Sequence, residues 1–168
     1  MFYVPSDASA NSYFNKFADI TETNDKIYIT SVNYSDTSIN HLISHAAFID
    51  LISFDKITRQ QTAGRIHLPF DLHQSYGVKT TQISNNDIAI VFNACYNAHN
   101  NHTCALRVSF NGNNPYSLSN ISVFDTLKGG FRVSDCEYLS KENELVVLKN
   151  SLIKDEKTDI VFHLKINK

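Results

Sequence analysis

Long apolar runs are missing from this chain. Nowhere in its 168 residues do about 18 apolar residues occur in succession, the length a membrane-spanning helix requires. Met1 to Ile20 holds neither a cationic start nor an apolar stretch of signal-peptide length. The expected location is therefore cytoplasmic or host-intracellular. Cysteine is scarce: Cys95, Cys104 and Cys136 are too few, and odd in number, for a disulfide framework. No run of Lys or Arg stands out, the net charge is −2 and the pI is near 6.4. Neither nucleic acid nor an anionic membrane is expected as a partner. The chain has no G-x-S-x-G nucleophile elbow and no phosphate-cradling glycine loop. Those absences leave no recognisable catalytic set.

Glycine (5) and proline (3) are also scarce for a chain with many turns. Asparagine and aspartate take their place, because both tolerate left-handed backbone and bond their own main chain. Asn85-Asn86, Asn100-Asn101 and Asn111-Gly112-Asn113-Asn114 are the plainest cases. Among 18 asparagines, the N-x-S/T triplets at Asn33, Asn101 and Asn120 are incidental.

What is present is strand patterning. The apolar fraction of 42% and charged fraction of 19% fit a folded chain with a core of its own. Leu106, Val108 and Phe110 alternate with Ala105, Arg107 and Ser109, as do Ile160, Phe162, Leu164 and Ile166 with Val161, His163 and Lys165. Ile88 to Phe92 and Leu145 to Leu148 are denser runs and are expected to be buried on both faces. An apolar residue followed by a turn residue recurs at Phe54-Asp55, Phe110-Asn111 and Ile166-Asn167, spaced 56 and 56. Upstream of each lies a second run, at Lys26-Ile27-Tyr28-Ile29, Asp87-Ile88-Ala89-Ile90 and Glu144-Leu145-Val146-Val147. A third strand follows the first two anchors, at Arg65 to Leu68 and at Asn120 to Phe124. These features predict one all-β domain over residues 1–168, with three antiparallel meander units at about 21–70, 80–125 and 131–168.

Meanders at this spacing resemble β-propeller blades, with a β-sandwich or barrel as the alternative architecture. The chain carries no WD dipeptide and no kelch double glycine, so the resemblance is to the architecture and to no named family. Closed propellers have about 4–8 blades. The third unit lacks a counterpart of the strands at Ile66 and Ile121, and Phe2-Tyr3-Val4 is the expected donor of that strand. The shortage of units predicts a protein partner or a homo-oligomer, a dimer being the economical route to six blades. One segment breaks the strand pattern: Ile39, Leu42, Ile43, Ala46 and Ala47 fall at helical spacing behind Asp36, Thr37 and Ser38, predicting a short helix over 37–47.

The densest polar cluster runs from Cys95 to Cys104. With His99-Asn100 as the tip of a hairpin, Cys95 faces Cys104, and Cys95, His99, His102 and Cys104 are the one set that could hold zinc. Their C-x3-H-x2-H-x-C spacing departs from the usual knuckles. The alternative has the cysteines filling apolar positions and the histidines solvated in the turn, and the expectation is no cofactor. His41 and His45 share the i, i+4 spacing of metalloprotease helices, but Leu42 replaces the catalytic glutamate. Asp19, Asp50, Asp55, Asp71 and Asp87 could supply a glycosidase-like carboxylate pair. Tyr13, Tyr76 and Tyr116 could mark a binding surface. The function expected first is a non-enzymatic interaction or structural module that self-assembles or docks on a larger complex, such as a viral or bacterial effector subunit. The alternatives are a carbohydrate-binding or glycoside-processing propeller and a zinc-stabilised recognition domain.

Overall fold

The computed structural model describes residues 11–13, 18–39, 42–71, 77–97, 100–111, 114–118, 122–125, 131–151 and 159–166, with side chains over 18–33, 48–68, 77–93, 102–111, 132–150 and 159–166. Among these the chain is all strand, in three antiparallel sheets, with no helix. The first sheet holds β1 (Asn11–Tyr13), β2 (Ala18–Glu22), β3 (Lys26–Ile39), β4 (Leu42–Asp55) and β5 (Gln61–Asp71). Strands β1 and β2 both pair with β3 on the side away from β4, so the sheet runs from β2 to β5 in chain order. The second holds β6 (Val78–Ser84), β7 (Asp87–Asn97), β8 (Asn100–Asn111), β9 (Asn114–Leu118) and β10 (Ser122–Asp125). Its order is β6, β7, β8, with β9 and β10 sharing the far side of β8. The third holds β11 (Phe131–Leu139), β12 (Glu144–Ser151) and β13 (Asp159–Lys165), again in chain order.

Each sheet is thus a meander whose first strand leads by a short turn into a long middle strand. Asparagine does supply such turns. Asn143 takes a left-handed φ of 55° before β12, and its side chain accepts from the Tyr138 hydroxyl at 2.7 Å and donates to the Ile166 carbonyl at 2.6 Å.

Two of the strongest strand readings meet the structure differently. Ile88, Ala89, Ile90, Val91 and Phe92 are all buried, because sheets lie on both faces of β7. In the run Leu145 to Leu148 of β12, Leu145 and Val147 are buried, while Val146 and Leu148 are half-exposed. Among the described residues the third sheet is covered on one face alone. The helix expected over 37–47 is absent from the described residues there. β3 and β4 pair without a break from Lys26↔Asp55 to Ile39↔Leu42. A helix would end that ladder, and the β-branched Thr37, Ile39 and Ile43 favour extending it. Apolar residues at helical spacing have here been overridden by long-range pairing. The strand proposed for Phe2-Tyr3-Val4 lies outside the described residues.

The meanders are laid face to face, with the second in the middle. Measured from Lys26, Asp87 and Glu144, the first residues of the three middle strands, the facing pattern repeats. Tyr28, Thr30 and Val32, at even offsets, turn toward the second sheet. Ile88, Ile90 and Phe92, at odd offsets, turn back toward the first. Ala89, Val91 and Asn93 then face the third sheet, which answers with Leu145 and Val147. The order is head to tail: an even face always meets an odd face. In the same frame Phe110 and Ile166 stand opposite Asn86 and Asn143, each just before its middle strand. Phe54 pairs with Ile27, one residue inside. The 56-residue spacing therefore marks matching hairpins but is two rungs out of step in the first.

Candidate interaction surface

The junctions between sheets show what holds one meander on the next. At the first junction Asp19 in β2 reaches across to β6, accepting from the Thr80 amide at 2.7 Å and from Lys79 Nζ at 3.0 Å. Thr30 and Thr80 share a buried hydroxyl contact of 2.5 Å, and Tyr28 stacks on Phe110 with ring centroids 4.8 Å apart. At the second, buried Asn93 accepts from the Val133 amide at 2.6 Å, while its own amide donates to the Gly77 carbonyl. β2, β6 and β11, the strands that lead into the three middle strands, are the neighbours at these junctions.

The residues with chemical potential are placed as follows. Register puts Cys95 opposite Asn101 and Cys104 opposite Phe92, so the expected facing of Cys95 with Cys104 does not occur. Asn97 pairs with Asn100, so Asn100 is a strand residue and not half of the expected tip. His99 lies outside the described residues. His102 is half-buried opposite Ala94. Cys104 is fully buried in the first core, and burial pushes its thiol up to about 12. Cys136 is pushed equally far, by burial and then by the nearby Asp19 and Asp135 charges. Neutral thiols of this kind are poor nucleophiles and poor ligands. No group of three or more metal-binding side chains occurs among the described residues. His45 stands in β4 opposite Asp36, and His41 lies outside the described residues.

The carboxylates are engaged structurally. Asp50 receives Arg65 Nε at 2.8 Å and Asn33 Nδ2 at 2.9 Å. Asp55 accepts from the Ile57 and Thr58 amides at 3.0 and 2.7 Å, and the Thr58 amide bond is the main force holding its carboxyl below the usual range. Burial pushes the Asp87 carboxyl up, but the bonds from Arg107, Ser109 and Ser84 outweigh it and hold the group low. Asp71 lies in β5, Tyr13 in β1 and Tyr116 in β9, all with side chains outside the described set, as Tyr76 is entirely.

Asp87 provides a pH test. A carboxyl lowered in the folded state contributes stability above its unfolded value near 3.8, and this is lost as pH falls through the folded value. Asp87→Asn is expected to lower the melting midpoint at pH 7 and to lose less than wild type between pH 4 and pH 2. Identical acid limbs in thermal melts of the two proteins would contradict that assignment.

What the sequence reading missed is a surface. On the odd face of the first sheet, Ile27 pairs with Phe54 and Ile29 with Ile52. At the matching rungs the second sheet has Ile88, Val108, Ile90 and Leu106, and the third has Leu145, Leu164, Val147 and Phe162. Those eight fill or flank the two inter-sheet cores. The four in the first sheet belong to neither core, and no sheet lies on them among the described residues. Ile27, Ile29 and Phe54 are half-buried, Ile52 is buried, and Ile20, paired with Ile29, is 66% exposed. Alternation in β3 was visible in the sequence, but that both of its faces are core-like follows only from the rung-by-rung register. The described residues contain no helix, and so none long and apolar enough to cross a membrane. Compared with family models, characterised proteins and solved structures, the chain matches none.

Proposed function

We propose that this chain is a non-enzymatic protein-interaction module, built from three propeller-type blades whose end faces make its protein contacts. The observation that carries this reading is the apolar set Ile27, Ile29, Ile52 and Phe54. It repeats the composition of both inter-sheet cores on a face where no further sheet is described. Exposed apolar patches with polar rims are a mark of interaction sites, and here Glu22, Asp50, Arg65 and His67 surround the patch. The use of Asp19, Asp50, Asp55 and Asp87 in ties between strands and in turns favours a structural over a catalytic role for them. The blade reading is supported by the chain-order meanders, their head-to-tail facing and the adjacency of β2, β6 and β11.

Ile29→Asp tests this reading. An interaction face tolerates the carboxylate in the isolated chain, so the variant is expected to stay soluble and to melt cooperatively in circular dichroism. Loss of the folded signal would place Ile29 in an internal core and overturn the reading.

A further inference from the structure

The face left on the first sheet has a counterpart on the third. In the head-to-tail order an odd face receives an even one, and the even face of the third sheet is the other one that carries no sheet among the described residues. It presents Val146 and Leu148, both half-buried, and Val161, 54% exposed opposite Leu148, with the exposed Glu137 and His163 on either side of Val146. Ala89 and Val91 occupy the rungs of Val146 and Leu148 in the second sheet, where they pack on the third. An aspartate also stands at the matching place: Asp19, opposite Thr30, reaches the next sheet's first strand, and the exposed Asp135, which accepts from the Cys136 amide at 2.9 Å, is on the same rung opposite Leu148.

Resting on the reading of the end faces as interaction surfaces, we propose that the occupant of the first sheet's outer face is the third sheet of a second copy of this chain. The junction it forms continues the internal ones: an odd apolar face of Ile27, Ile29, Ile52 and Phe54 receives Val146, Leu148 and Val161. Such a contact is heterologous, so one junction leaves a free face at each end, and rotation decides whether the assembly closes. Two copies supply six meanders, within the range of about 4–8 blades that closes a propeller. Two identical junctions then leave no apolar sheet face exposed.

Three variants test the pairing in light scattering. Ile29→Asp and Val161→Asp each spoil one of the two faces and are each expected to run at the single-chain mass. Mixed in equal amounts they offer one intact junction, and the mixture is expected to regain the two-chain mass. Without the second junction to close the ring, that association is expected to be about 100-fold weaker than in the wild type. Ile20→Asp, at the most exposed position of the same face, is expected to run at the single-chain mass as Ile29→Asp does, and a full-strength Ile20→Asp dimer overturns the pairing. A Val161→Asp protein that remains a full-strength dimer means that first-sheet faces pair with each other, which overturns the head-to-tail pairing while leaving the interaction face in place. Folded variants whose mixture stays at the single-chain mass overturn it too.

Discussion

Ile90→Asp is expected to leave the chain unfolded, whereas the same change at Ile29 is tolerated. The two residues stand on equivalent rungs, the fourth residue of β7 and of β3. Ile90 is 0% exposed, in the centre of a sheet covered on both faces, and its side chain belongs to the core between the first and second sheets. Substitution removes a buried branched side chain, which costs roughly 2–5 kcal/mol. It also demands either an unpaired carboxylate in that core or its protonation, a further cost of several kcal/mol. The sum rivals the roughly 5–15 kcal/mol that holds a domain folded. Ile29 lies on the outer face, where the carboxylate can reach water. Circular dichroism at 25 °C separates the two outcomes. A folded Ile90→Asp protein would mean that the second sheet is not sandwiched between the others.

The second large effect is expected at Gly77→Ala. A Cβ at this position would lie 2.6 Å from the Val133 carbonyl oxygen, closer than side-chain carbons approach backbone. Val133 is main chain of β11, so no side chain can rotate away. Relief requires the third sheet to move off the second. That movement strains the bond of 2.6 Å between the Val133 amide and the Asn93 side chain, the one that crosses from β11 to β7. Overpacking of this kind costs about 1–3 kcal/mol, and a buried amide left without its acceptor about as much again. A total of about 3 kcal/mol lowers the melting midpoint by roughly 6–12 °C for a chain of this size. A midpoint within 2 °C of wild type would contradict the close approach of β6 and β11. Gly77 is needed for the space it leaves, since its backbone requires no left-handed conformation.

How much of this was legible beforehand can be followed residue by residue. The strands at Ile88 to Phe92 and Leu106 to Phe110 announced themselves by composition and alternation, and the chain-order meanders followed from the turns between them. The third sheet was misjudged because Leu145 to Leu148 is continuously apolar whether one neighbour or two cover it. The helix expected over 37–47 failed because local spacing carries no information about β3, which supplies the pairing partner for every described residue of β4. β9 escaped notice since Asn114-Pro115 reads as turn chemistry, yet it pairs with the outer edge of β8. The expected facing of Cys95 with Cys104 failed on register: pairing Cys104 with Phe92 in place of Cys95 depends on where the hairpin turns. The outer apolar face of the first sheet was the least legible feature. Ile27, Ile29, Ile52 and Phe54 look like any alternating strand residues until the three middle strands are aligned by their hydrogen-bonded partners.

The central claim is that these meanders stack head to tail and that a second copy continues the stack. The mass of the wild-type chain in solution, measured by light scattering across a concentration series, tests it most directly. The expected result is twice the 19.0 kDa of one chain, held on dilution until both junctions release together. A mass of 19.0 kDa at every concentration, or an assembly larger than two chains, would contradict the two-copy ring.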